Sequence, residues 1–420
     1  MGLSILNKLF LIILSAIVST QLFANELTLQ AAEEFALSSD LTIKKLEVTA
    51  EKYDELAVAE GQLPDPVMKF GMMNLPINSF DRSQEPMTQV QVGIQQSFPR
   101  GDTLELRQEK TGHYADIDAA RARLQARNVL LSVRSNYLDV YLSQETEKLL
   151  LENRDLFSQL LEVAERQYAV GRDNQHDVLR AQLELSLVDD RLVEVQGKHA
   201  MTLAELKRWL GNSIQFDRVS DNFPFLTPIR DLQQLVQELP RHPRIQIEDA
   251  MIAVNEKDIN LAEQQYKPGW MLDLTYGNRS GNNLDGSSRD DFASAMILVD
   301  LPIFTNKRQD KRLSASKLDH AASQFARSDR LLEFRQSLEK EYANWIRLGK
   351  RLELYETRAM VDAEQNSSST LKAYQNDLTD FTTLMRARLT ELNTQLDMLK
   401  IRVDRAKSQA NLLYYVRETI

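Results

Sequence analysis

The chain carries the same unit twice. Phe70-Gly71 recurs as Tyr276-Gly277, Phe98 as Phe304, Tyr168 as Tyr374, Ala181 as Ala387 and Leu183 as Leu389, each pair 206 positions apart. One match between common residues means little, but a single shared offset requires elements of equal length in both copies. The sequence divides into a leader at 1–24, a first repeat at 25–211, a connector at 212–240 and a second repeat at 241–420.

Each copy orders its elements alike. A helical pattern over about 28–60, and again over about 229–265, runs up to a turn marked by Pro64 and Pro66 or by Pro268. Two strand-like runs follow, about 66–74 with 87–98 in the first copy and about 270–278 with 291–304 in the second, each pair joined by a polar loop. Met68, Phe70 and Met72 alternate with Lys69 and Gly71; Val90, Val92 and Ile94 alternate with Gln89, Gln91, Gly93 and Gln95; Leu272, Leu274 and Tyr276 alternate with Asp273, Thr275 and Gly277. This period of two gives each strand one apolar and one polar face. A sheet laid on a soluble core would alternate in the same way. The charged and amide-bearing polar face, with Lys69, Gln89, Gln91, Asp273 and Thr275, is also what a water-filled barrel interior requires. Four strands cannot close a membrane barrel, whose smallest form has about eight, so strands that meet lipid must be shared among several copies.

The rest of each copy is long helix. No proline lies between Pro99 and Pro224 or after Pro302, and a run over about 103–170 would extend roughly 100 Å at 1.5 Å per residue. Such a rod needs helical neighbours along its length. The heptads supply them: Leu142, Leu149, Leu156, Val163 and Val170; Leu331, Leu338, Trp345 and Leu352; Leu378, Met385, Leu392, Leu399, Ala406 and Leu413, with Leu389, Leu396, Val403 and Ala410 on a second line.

Lys8, the apolar run Leu9–Val18 and the small residue Ala24 read as an export signal, too short in its apolar part to span a bilayer. The chain has no cysteine, which excludes disulfides, thiolate metal sites and a lipidated N-terminal cysteine. A net charge of −10 without a basic block removes the attraction that drives nucleic-acid binding. His113, His176, His199, His242 and His320 show no metal-binding or triad spacing and read as solvated residues, and no phosphate loop or dinucleotide fingerprint is present. The expectation is a protein without enzymatic chemistry and without a cofactor. Met68, Met72, Met73 and Met87 cluster about the first strand pair. Thioethers suit soft cations, but filling an irregular apolar surface is their commoner use; Met73, on the polar face, is the weak candidate for a metal contact.

The leader, the duplicated strand pair and the heptad helices together resemble the TolC family of outer-membrane efflux proteins, over essentially the whole mature chain. The most specific local element is Tyr168-Ala169-Val170-Gly171-Arg172 followed by Asp177-Val178-Leu179-Arg180-Ala181-Gln182, similar to the family's turn at the far periplasmic end of a helical hairpin. Leu206-Lys207-Arg208-Trp209-Leu210-Gly211 is similar to its usual end of the returning helix. The resemblance implies a mainly α fold with a small β part: duplicated antiparallel coiled-coil helices plus four amphipathic strands per subunit, which three subunits join into one membrane β-barrel. It further implies an adaptor-docking tip at Val170, Gly171, Arg172, Asp177, Val178 and Leu179. Asp377 and Asp380 at the second tip, where Asp377 replaces the glycine, would form a ring of carboxylates constricting the pore. The implied partners are two further copies, a periplasmic adaptor (membrane fusion) protein, an inner-membrane resistance-nodulation-division pump and outer-membrane lipid. Leu63-Pro64-Asp65-Pro66, Met72-Met73-Asn74-Leu75-Pro76 and Gln84-Glu85-Pro86-Met87-Thr88 look most like the heavy-metal branch. Drug export, type I secretion and a soluble periplasmic coiled-coil adaptor or scaffold are the alternatives.

Overall fold

The computed structural model describes residues 26–172, 174–211 and 216–416; the leader expected over 1–24 lies outside the described residues. In chain order the elements are β1 (Glu26–Leu27), α1 (Leu29–Ser39), α2 (Leu41–Glu60), β2 (Val67–Met73), β3 (Gln89–Phe98), α3 (Thr103–Ala169) and α4 (Gln175–Leu210). There follow β4 (Arg218–Val219), α5 (Leu232–Glu238), a 3-10 turn (Leu239–Arg241), α6 (Pro243–Gln264), β5 (Gly269–Arg279), β6 (Phe292–Asp300) and α7 (Gln309–Leu354). A π-helical turn (Tyr355–Ala359), α8 (Met360–Gln375) and α9 (Phe381–Tyr415) complete the chain. The fold is mainly α with a small β part.

The two long arms keep the repeat. Helix α3 spans 67 residues, and the second arm, α7 to α8, begins and ends 206 positions further on. The second arm reaches that length with the π turn inside it. Where one continuous helix was expected over 28–60, Asp40 breaks it, its Oδ1 accepting the Ile43 backbone N–H at 2.7 Å to cap α2. The second-copy counterpart is broken at Pro240 and Pro243, which supply no backbone donor. Strand β6 stops at Asp300, short of the expected 304. Phe304 is therefore exposed outside the sheet, whereas Phe98 sits in β3. That pair shares the offset without sharing an environment.

The described residues form two compact units, each drawing on both repeats. One gathers the chain up to Ile43, Gln125–His242 and Phe334 onward; the other gathers Lys44–Leu124 and Pro243–Glu333. In the first unit, β1 pairs with β4 in parallel, and Leu27, Val219, Val133, Tyr137, Leu206 and Val403 form a core with α1. Tyr137 Oη donates to the Leu27 carbonyl at 2.8 Å, which satisfies a hydroxyl inside that core. A second cluster runs toward the helix tips through Leu150, Phe157 and Ala164 on α3, Ala181, Val188 and Val195 on α4, and Phe381, Met385 and Leu392 on α9.

The buried line on α3 lies one residue beyond the leucine heptad expected from the sequence. Leu156 and Val170 of that heptad are 40% and 68% exposed, while Ser143, Leu150, Phe157 and Ala164 are buried. In this seam Leu150, Phe157 and Ala164 pack with Ala181, Val188 and Val195 of α4. Apolar periodicity alone favours the leucines because Ser143 and Ala164 interrupt the buried line.

The reading of all five histidines as solvated does not hold for His242. Its ring is 1% exposed, packs edge-on to Phe334 at 4.9 Å, and donates Nε2–H to the Tyr414 carbonyl at 3.1 Å. Burial, then the nearby Arg127 cation, push its pKa down from 6.5 to about 3. The fold therefore holds the ring neutral, while the unfolded chain takes up a proton as pH falls through 6.5. This group's stabilisation is complete above about pH 6.5 and declines steadily toward pH 3. Lowering pH from 7 to 5 is expected to cost roughly 2 kcal/mol through this residue. His242→Phe should flatten that stretch of the stability profile in denaturant titrations at the two pH values.

Among the described residues no helix is long and apolar enough to cross a membrane.

Candidate functional site: a two-faced sheet and two helix tips

Within the second unit, β2, β3, β5 and β6 form one antiparallel sheet in that order. Register partners share a face. Lys69, Gly93 and Thr275 are aligned across three strands, and Gln95 lies opposite Asp273. The five positions expected to line a pore thus fall on one face. Lys69 Nζ reaches across β3 to Asp273 Oδ1 at 2.6 Å. Asp273 also accepts Gln95 Nε2 at 2.6 Å and Thr275 Oγ1 at 2.9 Å. Gly93 makes the crossing feasible: a Cβ there would meet Lys69 Cε at 2.6 Å and both the Leu274 carbonyl and Thr275 Oγ1 at 2.8 Å. Gln89 lies over Gly277 in the same manner. Gln91 Nε2 donates to Met73 Sδ at 3.5 Å. The other two methionines of β2, Met68 and Met72, belong to the opposite face by register. No group of three or more histidine, aspartate or glutamate side chains able to hold a metal occurs among the described residues.

The opposite face carries Phe70, Val92, Ile94, Leu274 and Tyr276, all exposed in the single chain. At the helix-proximal end Phe98 stacks on Trp270, with centroids 3.9 Å apart. This is the kind of aromatic pair that marks the rim of a lipid-facing band. Strand β6 does not alternate: Met296, Ile297, Leu298 and Val299 are all exposed. Strands β2 and β6 each pair on one side only among the described residues. Their outer edges present unpaired N–H and C=O groups, which proteins cover or pair.

The two helix tips share one backbone design. At the first, Gly171 has φ +72°, its N–H bonds Tyr168 O at 3.0 Å, and Arg172 N–H reaches back to Gln167 O at 2.9 Å. At the second, Asp377 has φ +55°, its N–H bonds Tyr374 O at 3.1 Å, and Leu378 N–H bonds Ala373 O at 2.9 Å. Both are Schellman closures, in which the left-handed residue ends the helix. Asp377 occupies the position equivalent to Gly171 at a conformational cost that glycine avoids. Asp377→Gly is expected to stabilise the fold by roughly 1 kcal/mol, seen as a higher denaturation midpoint.

Asp380 is engaged as the cap of α9, its carboxylate accepting Thr383 N–H at 2.7 Å and Thr383 Oγ1 at 3.1 Å. These bonds, led by the backbone one, hold its pKa below the usual carboxylate value. At the first tip Val170 and Leu179 are exposed, Arg172 is exposed and Asp177 half-buried. Val178, expected among the outward contacts, packs instead against the hairpin's own Ala181 cluster. The Ser143–His199 contact of 3.1 Å is the kind of pair that can signal a nucleophile. Ser143 is 1% exposed among packed helices, so the contact is a polar interlock that no substrate reaches. Alternation places Gly93 and Gln95 on the sheet's polar face, but it does not foretell the bridge they frame, because a lysine crossing one strand to reach the next leaves no local pattern.

Residues 65–212 match the family described as outer membrane efflux protein. No curated protein sequence matches the chain. Among solved structures, the CusC channel superimposes with a TM-score of 0.77 at 14% identity, covering 92% of this chain and 91% of that one. The outer-membrane channel OprN gives 0.76 at 16% identity, covering 92% and 89%. The CmeC outer membrane channel of Campylobacter jejuni gives 0.74 at 13% identity, covering 92% and 85%. The chain has the fold of these outer-membrane channels, and over residues 65–212 it is similar to the outer membrane efflux proteins.

Proposed function

We propose that the chain is one subunit of a passive outer-membrane exit duct, with three copies sharing their strands in a single twelve-stranded barrel. The observation that carries this reading is the sheet: four strands, two edges unpaired among the described residues, and in β2, β3 and β5 one apolar and one polar face. A lone four-stranded sheet leaves both edges and the apolar face exposed. Three copies joined β6 to β2 cover every edge and turn the apolar faces to lipid, with Lys69, Gln89, Gln91, Asp273 and Thr275 toward water. The conduit supplies no chemistry of its own. An inner-membrane resistance-nodulation-division pump drives the substrate, and a periplasmic adaptor docks at the tip around Val170, Gly171, Arg172, Asp177 and Leu179.

Heavy-metal ions are the cargo this reading favours, on the Met72-Met73 and Leu63-Pro64-Asp65-Pro66 segments. Threefold repetition of Asp377 and Asp380 would place carboxylates about the axis and favour cations. Asp377→Asn with Asp380→Asn should lower cation selectivity in planar bilayers, and unchanged selectivity removes the ring. The test of the whole reading is a deletion strain: sensitisation to copper, silver or divalent metals supports metal export. Sensitisation to drugs alone, or loss of a secreted protein, keeps the duct and reassigns its cargo. Recovery in the soluble periplasm without detergent would sink the duct itself.

A further inference from the structure

The two long arms differ in one respect that equal length conceals. Helix α3 runs unbroken, and its buried line Ser143, Leu150, Phe157, Ala164 keeps a period of seven throughout. On the second arm Leu338 and Leu352 keep that period before the π turn at Tyr355–Ala359. The next buried residues are Met360, Ala363 and Ser367, so the line resumes eight positions after Leu352 instead of seven. The π turn absorbs one residue and resets the seam. A π turn inside an α-helix marks a site of strain or function more often than chance.

Beyond it, α8 lies close along α9 and buries Met360, Ala363 and Ser367. The apolar cluster at this end of the hairpins draws buried residues from α3, α4 and α9, and α8 adds only the half-buried Tyr374. Ser367 is fully buried, yet its hydroxyl has no partner among the described residues; the equivalent position on α3 is Leu161, which packs against the cluster. Around it the sequence is Asn366-Ser367-Ser368-Ser369-Thr370, small and polar on every side of the helix. Across the π turn the tie to α9 is the Glu356–Arg402 ion pair at 2.8 Å, both partners well exposed to water, with Tyr355 against Ile401 and Met398.

We propose that α8 has two seatings against α9, exchanged by converting the π turn to α-helix. Without the π turn, the helix beyond it turns by roughly 100° and advances about 1.5 Å, one residue's worth of α-helix. Ala359, Asn366 and Ala373 then continue the line of Leu352, and Ser367 turns out of the seam. The run of five small polar residues eases this exchange in the middle of α8, where Asn366 would replace Ser367 in the seam; the side chains that must repack are the buried Met360 and Tyr374, whose ring meets Phe381 edge-on with centroids 5.8 Å apart. The reorientation carries the Asp377 turn with it, giving the second tip a rotary motion that the unbroken first arm lacks. This inference rests on the helix packing and not on what the protein exports.

Because the chain has no cysteine, single introduced thiols report the two seatings in the full-length, detergent-solubilised protein. Asn366→Cys lies in the open and Ser367→Cys in the seam of the observed seating. Deleting Thr357 removes the extra residue and keeps Met360 and Ser367 in the seam of a continuous α-helix, so it locks that seating. Maleimide labelling of Ser367→Cys should slow roughly tenfold in the deletion background, as expected when a local opening is closed off. Arg402→Gln, which releases Glu356, should speed it several-fold. Leu338→Cys, fully buried before the π turn, controls for general loosening and should not change in either background. Equal Ser367→Cys rates in all backgrounds, or parallel changes at Leu338→Cys, would overturn the proposal. Should the deletion fail to fold, the Arg402→Gln comparison decides alone.

Discussion

Phe70→Arg and Leu274→Arg should each sharply reduce the yield of protein assembled in the outer membrane, whereas Gln91→Arg should leave the yield near wild type and change conductance. Phe70 is 72% exposed and Leu274 44% exposed on the apolar face, and an arginine facing lipid near the midplane costs about 2–4 kcal/mol. Threefold repetition would multiply that cost in one barrel. Gln91 sits on the other face, opposite Gly71 and Gly277, where the neighbouring positions carry no side chain and a guanidinium meets water. Heat-modifiable migration of membrane extracts measures assembly, and planar-bilayer recordings measure the pore. Equal assembly defects in all three variants would mean that the assignment of faces to lipid and water is reversed or void.

Gly171→Trp should abolish export-dependent resistance while the protein accumulates and assembles normally. Nothing lies within 4 Å of a Cβ built at Gly171, so the side chain meets no internal obstacle. The positive φ of +72° adds a backbone cost of roughly 1–2 kcal/mol, small against the stability of a hairpin anchored by Phe157, Ala164, Ala181 and Phe381. What the indole adds is bulk in the open space at the tip beside exposed Val170, where the adaptor is proposed to seat. Gly171→Ala pays the same backbone cost without the bulk and should retain most resistance. Loss of resistance in both variants would trace the defect to the turn's geometry; full resistance in Gly171→Trp would place docking elsewhere.

Much of this architecture is legible because it is periodic. The 206-residue offset foretells the equal arms, and alternation along β2, β3 and β5 foretells the two faces, since a strand's side chains have no other directions to take. What escapes the sequence is non-periodic or compares near-equals. The Lys69–Asp273 bridge joins residues on non-adjacent strands by way of a bare Gly93, and no spacing rule encodes it. The buried line on α3 competes with a leucine line one residue away, and only packing against α4 and α9 decides between them. His242 has an ordinary surface-like context in sequence, and only the return of Tyr414 and Phe334 in space buries it. The π turn is invisible because the second arm keeps its length while changing its phase.

The proposed duct stands or falls on whether several copies share strands to make one water-filled barrel. Native mass spectrometry of the detergent-extracted protein, with single-channel recording of the same preparation, tests it most directly. Three copies per particle with a stable ohmic conductance is the expected result. A monodisperse single chain, soluble without detergent and electrically silent, would contradict it.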